Sequence, residues 1–291
     1  MNKSLIYITR RLGFYLIAAF AALTLNFIIP RLMPGDPASI IFARFKGKLN
    51  PEAINAMRQS FGLTNDPILV QYWSYLKGIL GGDLGISIAY FPEPVSEVIG
   101  TGLLWTIFLA GLSLVVAFLI GTTLGVFIAW NRTGKLDTFL PPTLAFFGAL
   151  PYFWLAMVFL YIFGFSMNWF PIGRAYGNEV NPGLNLPFLL SALYHAFLPS
   201  LTLIFVSLGG WMLSMRNTMI STLGSDYITF AHAKGISSRS IMLRYAARNA
   251  ILPNLTGFGM ALGFMLSGAL LTEMIFSYPG QGFLLLQAVQ T

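Results

Sequence analysis

Five stretches of this chain are apolar over the thickness of a lipid bilayer: residues 12–29, 103–130, 138–164, 196–215 and 253–276. A hydrocarbon core about 30 Å thick is crossed by roughly 20 helical residues, and a backbone inside it must satisfy its own hydrogen bonds. The runs therefore point to an all-α polytopic membrane protein with five complete spans. Composition agrees: only 9% of the 291 residues are charged, against roughly 25% in a soluble domain. The 26 Phe and 6 Trp suit helices that face acyl chains and headgroups. Cysteine is absent, which excludes disulfides, thiolate metal sites and cysteine nucleophiles.

Lys3, Arg10 and Arg11 precede the first run in the manner of a signal peptide. The run itself has the length of a span, and Pro30-Arg31 follows it rather than a small-residue cleavage site. Residues 1–30 are thus expected to hold a short N-terminus and an uncleaved first span. Residues 31–102 follow a different grammar. Asn50, Pro51 and Glu52 are a helix start, Ile54, Met57 and Phe61 an apolar face, and Gly62 a stop. Asp66-Pro67 opens a second helix whose stripe of Leu69, Tyr72, Trp73, Leu76 and Leu80 ends at Gly81-Gly82. At about 14 residues, and carrying Lys77, this helix is too short to cross a bilayer. The segment reads as a small packed cap, not a catalytic domain. Residues 103–291 hold the remaining spans, with one long loop at 216–252. From Phe283 to Val289 the chain turns apolar again, the expected start of a sixth span.

Charge sets the orientation. With the N-terminus inside, the internal segments hold ten Lys and Arg against Asp137 and Asp226 alone. The external segments hold seven bases and seven acids. Bases flanking the spans on one side are what the positive-inside rule expects, so the N-terminus is predicted to be cytoplasmic. The net charge of +7 then reflects topology, not nucleic-acid binding.

The internal loop 216–252 is patterned as a rigid knob. Asp226 favours a helix start, with Tyr227, Phe230 and Ala231 on one face and Gly235 as the stop. Ser237 or Ser238 can cap a second helix on which Arg244 and Arg248 share a face while Ile241 and Tyr245 pack inward. Pro253 begins the fifth span. A mere connector needs neither an aromatic face nor paired caps, so the pattern points to a protein-docking element.

The string Asp226-Tyr227-Ile228-Thr229-Phe230-Ala231-His232-Ala233-Lys234-Gly235, with Arg248-Asn249-Ala250-Ile251-Leu252-Pro253, resembles the coupling-helix motif of ABC-importer permeases of the dipeptide, oligopeptide and nickel group. Pro34-Gly35-Asp36-Pro37, Phe61-Gly62-Leu63, Gln71-Tyr72-Trp73, Gly82-Asp83-Leu84-Gly85-Ile86-Ser87, Glu273-Met274-Ile275-Phe276 and Pro279-Gly280-Gln281-Gly282 agree in order and spacing. The resemblance covers essentially the whole chain. It implies a type I importer transmembrane domain, of the first-permease kind with a large external insertion, in a family whose members have six spans. It further implies a bacterial inner-membrane location and a heterodimer with a second permease. A solute-binding protein would deliver cargo outside, and two cytoplasmic subunits would bind ATP and Mg. Asp226, Tyr227, Phe230, Ala231, Lys234, Gly235, Arg244 and Arg248 would then form the contact with an ATPase.

The chain has no Gly-x-x-x-x-Gly-Lys-Ser/Thr of its own: Gly47-Lys48 and Gly134-Lys135 are each followed by Leu. Such a permease would be non-catalytic, with no cofactor. Glu273 is the one ionisable residue near the end of a core span, expected where water reaches it, either as an external gate or as a cap on the 277–282 turn. His195 and His232 fall on opposite sides of the membrane and make no metal site. Gly121-x-x-x-Gly125 and Gly259-x-x-x-Gly263 permit close helix approach. Thr106, Thr123, Ser207, Thr256 and Ser267 could line a polar path or bond their own backbones. Peptides are the favoured cargo, with oligosaccharides or nickel as alternatives. A membrane enzyme would need convergent ionisable groups, and a secondary carrier a midplane acidic site; the sequence offers neither clearly.

Overall fold

The computed structural model describes residues 3–32 and 66–290, with side chains from residue 6 onward except at 266–268. The helix expected over 50–62 lies outside the described residues. Among those described, the chain is helical, with one isolated antiparallel bridge between Ile86 and Pro94 and no strand. It divides into two compact units, Met1–Val98 with the last two residues, and Ile99–Val289.

In the first unit, α1 (Lys3–Leu32) and α2 (Ile68–Leu80) are packed through aromatic rings. Phe27 is buried and meets Tyr72 edge-on at 5.0 Å and Tyr75 at 5.4 Å. Thr24 Oγ1 and the Tyr72 hydroxyl lie 2.7 Å apart, and Arg31 stacks over the Phe27 ring while donating to Gln71 Oε1. This contact revises the expected stripe. Tyr72 and Tyr75 turn toward α1, whereas Leu69, Trp73 and Leu80 are exposed. The helix stops where the glycines predict: Gly82 takes φ +83°, Asp83 N–H reaches Gly78 O at 2.9 Å, and Gly82 N–H reaches Ile79 O at 3.0 Å. A left-handed residue at this position closes the last carbonyls of a helix at no Cβ cost.

The second unit carries the remaining helices, apart from the first four residues of α3 and the last of α12: α3 (Val95–Trp130), α4 (Lys135–Ala149), α5 (Tyr152–Phe159) with a π-helical continuation Leu160–Ser166, α6 (Leu186–Leu223), α7 (Asp226–Ala233), α8 (Ser238–Ser240), a π-helical segment Ile241–Ala247, α9 (Arg248–Ala250), α10 (Leu252–Gly268), α11 (Leu270–Ile275) and α12 (Gln281–Gln290). Among the described residues, three helices are long and apolar enough to cross a membrane, namely α1, α3 and α6, with a fourth crossing if the bent pair of α4 and α5 with its π-helical continuation counts as one.

Two of the five expected spans are therefore not continuous. The run 138–164 is broken at Leu150-Pro151, and its halves lie 97° apart. The ring of Pro151 pushes the preceding residue out of the helical region, and Leu150 is extended at ψ 140°. The run 253–276 starts at its proline as expected but breaks at Ala269, leaving a helix of 17 residues and one of six. Seventeen residues rise about 26 Å, just short of the hydrocarbon core. By contrast α6 runs for 38 residues, far beyond the apolar stretch at 196–215. Asn185 starts it by accepting the Phe188 N–H at 2.9 Å.

Helix α3 packs on α6 through its small residues. A Cβ at Gly125 would lie 2.6 Å from Met212 O and 2.7 Å from Met215 Cβ, and one at Gly121 2.9 Å from Leu208 O. Those two glycines serve packing within the chain. Gly259 and Gly263, on α10, have nothing within 4 Å.

Candidate functional site

The knob is built from α7, a turn, and the limb from α8 through α9. Ser225 is extended and its carbonyl accepts the Ile228 N–H at 3.0 Å, while Asp226 places a carboxylate in the positive first turn. At the other end Gly235 takes φ +72°, Ile236 N–H reaches Ala231 O at 3.3 Å, and Gly235 N–H reaches His232 O at 2.9 Å. This is the same left-handed closure as at Gly82, and it sends Ile236 back against the core.

Alpha-helix α7 has an inner and an outer side. Ile228 and Ala231 are buried with Met215 and Met219 of α6, and Val126 and Ala129 of α3. Phe230 is 61% exposed and Tyr227 40%. The expected face of Tyr227, Phe230 and Ala231 is thus corrected. Ala231 belongs to the base, and the outer surface is Tyr227, Phe230 and Lys234, whose ammonium sits over the Phe230 ring at 4.6 Å.

The second limb also departs from the expected register. Ile241 and Met242 are buried as a pair, but Ala246 is the next inward residue and Tyr245 is exposed. A π-helix repeats over i→i+5, so the inward position after Ile241 moves from 245 to 246. Tyr245 instead offers its carbonyl to Asn249 Nδ2 at 3.1 Å, and Asn249 donates to the Tyr227 hydroxyl at 2.9 Å. That bond ties the two limbs together. Asn249 belongs to the 248–253 string, but no neighbour in sequence gives it a role; its partner lies 22 positions away. Arg239, Arg244 and Arg248 remain exposed on the outer surface. A surface of one tyrosine, one phenylalanine and several cations suits a protein groove with acidic groups.

Beside the knob, Arg216 Nε pairs with Asp137 Oδ1 at 2.6 Å and links α6 to the first turn of α4. Away from the knob, on α11, Glu273 is fully buried, not reached by water as expected. Thr106 Oγ1 donates to its Oε1 at 2.7 Å, and the Gly282 N–H to Oε2 at 2.6 Å. Thr106 in turn accepts the Gln281 N–H at 2.8 Å. A side chain at Gly280 would overlap the Glu273 carboxylate. The carboxylate therefore fastens the 276–282 turn to α3.

His195 Nδ1 lies 2.8 Å from Ser191 O, while His232 is exposed on α7; the two do not meet. Ser207 and Thr256 bond the carbonyls of Leu203 and Leu252 in their own helices, and the Ser267 side chain lies outside the described residues. No group of three His, Asp or Glu comes together among the described residues.

Helices long and apolar enough to cross a membrane, joined to an exposed aromatic and basic knob, define a multi-pass membrane protein. Comparison with known proteins sharpens that class. Residues 121–291 match the family model described as the binding-protein-dependent transport system inner membrane component, and residues 4–96 match that of its N-terminal part. The chain belongs to this family. It is 32% identical to the oligopeptide transport system permease protein AppB of Bacillus subtilis, over 95% of this chain and 84% of that one. It is 34% identical to the probable D,D-dipeptide transport system permease protein DdpB of Escherichia coli, over 91% and 81%. The glutathione transport system permease protein GsiC of Salmonella typhimurium is 32% identical, over 97% and 86%.

Proposed function

We propose that this chain is one of two permease subunits of an ATP-driven importer, and that it carries di- or oligopeptides handed over by an external binding protein. The cargo follows from the relatives, whose names specify oligopeptide, D,D-dipeptide and glutathione transport. Partners are a second permease and two ATP-binding subunits, as membership of this permease family and the likeness of the 226–235 and 248–253 strings to ABC-importer permeases imply. Its location is the bacterial inner membrane, with the N-terminus in the cytoplasm, the side that gathers the Lys and Arg. Five spans, the third and fifth of them broken, with a sixth beginning near α12, account for the apolar runs.

The observation that carries the reading is the knob: Tyr227, Phe230 and Lys234 face outward from a base whose Ile228, Ala231, Ile241 and Ala246 are fused to α3 and α6. Helix α7 is the coupling helix, held in a groove of an ATP-binding subunit, with Asp226 and Gly235 fixing its ends and Arg244 and Arg248 flanking it. When the ATP-binding subunits close, a rigid knob passes the displacement to the spans; a flexible loop would absorb it. Nucleotide state can drive alternation only through different free energies of the two conformations. At the opposite end Glu273 anchors an external gate by holding the 276–282 turn.

The test is reconstitution of this chain with its second permease, ATP-binding subunits and binding protein. The reading expects peptide-stimulated ATP hydrolysis together with uptake. A purified chain that transports alone on an ion gradient would reject it.

A further inference from the structure

Asn254 lies in the first turn of α10, one residue after Pro253, and is 1% exposed. Its carboxamide is used across three helices. Nδ2 donates to Trp211 O of α6 at 3.1 Å and to Thr122 Oγ1 of α3 at 3.3 Å, and Oδ1 accepts the Ser214 hydroxyl of α6 at 2.6 Å. The Trp211 carbonyl can only accept, which fixes which way the amide faces. Helical rise puts Thr122 and Ser214 about 12–14 Å inside the knob ends of α3 and α6, just beyond the Val126, Met215 and Met219 layer on which the knob rests.

An amide in a membrane span is costly unless every group is paired. Leucine has the same branched heavy-atom outline, though bulkier, and carries no such penalty. What an apolar residue cannot do is fix register. Apolar contacts let helices slide by small steps, whereas the three hydrogen bonds hold only in one alignment. Only three residues separate Asn254 from Ala250, which is buried in the knob. Movement of the knob therefore enters α10 beside this residue.

We propose that Asn254 is a positioning residue that locks α10 to α3 and α6, so that displacement of the knob moves three helices as one body. This rests on the reading of the knob as the ATPase contact. With the lock removed, α10 slips along α6, and part of each ATP-driven stroke is lost before it reaches the transport path.

The test uses the complete transporter in proteoliposomes and reads peptide uptake per ATP hydrolysed, a ratio that simple loss of folded complex does not change. Asn254→Leu and Ser214→Ala are expected to lower the ratio about fivefold or more, while ATP hydrolysis and subunit stoichiometry persist. Ser214→Thr, which keeps the hydroxyl, retains it. If Asn254→Leu fails to assemble, the Ser214 pair decides alone: equal ratios in the Ala and Thr variants overturn the proposal. Phe230→Ala separates this from the underlying reading. Loss of ATP-binding subunits from the Phe230→Ala complex, with wild-type ratios in the Asn254 and Ser214 variants, overturns only the lock. Full retention of those subunits in Phe230→Ala overturns the knob reading itself.

Discussion

Two adjacent glycines of α6 should respond to the same substitution with opposite signs. A methyl group at Gly209 would lie 2.7 Å from Leu144 O, 3.0 Å from the carbonyl carbon and 3.2 Å from Cβ, all on α4. Ordinary contacts sit near 3.5–4.0 Å, so α4 must withdraw by roughly 0.5–1 Å. Because the obstacle is backbone, no rotamer change relieves it, and overpacking of this kind costs about 1–3 kcal/mol. At Gly210 nothing lies within 4 Å. There the methyl group only relieves the helix-interior penalty of glycine, a gain of up to about 1 kcal/mol. That gain is common to both sites and cancels in the comparison, which leaves the packing cost alone. The assay is the apparent melting temperature of the detergent-solubilised chain followed by tryptophan fluorescence. Gly209→Ala should melt below Gly210→Ala by several degrees, at about 2–4 °C per kcal/mol. Equal melting temperatures, or the reverse order, would refute the placement of α4 against α6.

Other consequences are local. Replacing Glu273 by Gln puts an amide donor against either the Thr106 hydroxyl or the Gly282 N–H, a loss of about 1–3 kcal/mol at a buried bond. Uptake should fall with the complex intact and the 276–282 turn should become protease-sensitive; unchanged uptake retires Glu273 as gate anchor. Gly235→Ala meets no atom within 4 Å, so its cost is the left-handed backbone alone, about 1–2 kcal/mol. Retained assembly with a lower melting temperature is expected, and a wild-type melting temperature would show that the turn is not needed in this form.

The fold was readable where local chemistry decides it. Gly81-Gly82 and Gly235 mark helix ends because only glycine enters the left-handed region freely, and both closures form. Pro253 begins its helix for an equally local reason. The bend at Leu150-Pro151 was also written in the sequence, but hydropathy over 138–164 ignores the restriction that proline puts on its predecessor. The remaining departures come from distance. Glu273 is buried by Thr106, 167 positions away, and no property of residues 270–276 reports that contact. Ala231 turns inward and Tyr245 outward because Met215, Met219 and a π-helical segment set the register of the knob. The outer pair Tyr227 and Phe230 was legible as an aromatic pattern, whereas the bond from Asn249 to Tyr227 that stiffens it was not.

The absence of native cysteine makes the central claim directly measurable. A His232→Cys variant, exposed on α7 and leaving Tyr227, Phe230 and Lys234 in place, is given a short thiol-linked photo-cross-linker, assembled into the complete transporter and irradiated, and the adduct is identified by mass spectrometry. The account predicts an adduct with an ATP-binding subunit. An intact complex whose probe at this position reacts only with lipid or with this chain would contradict it.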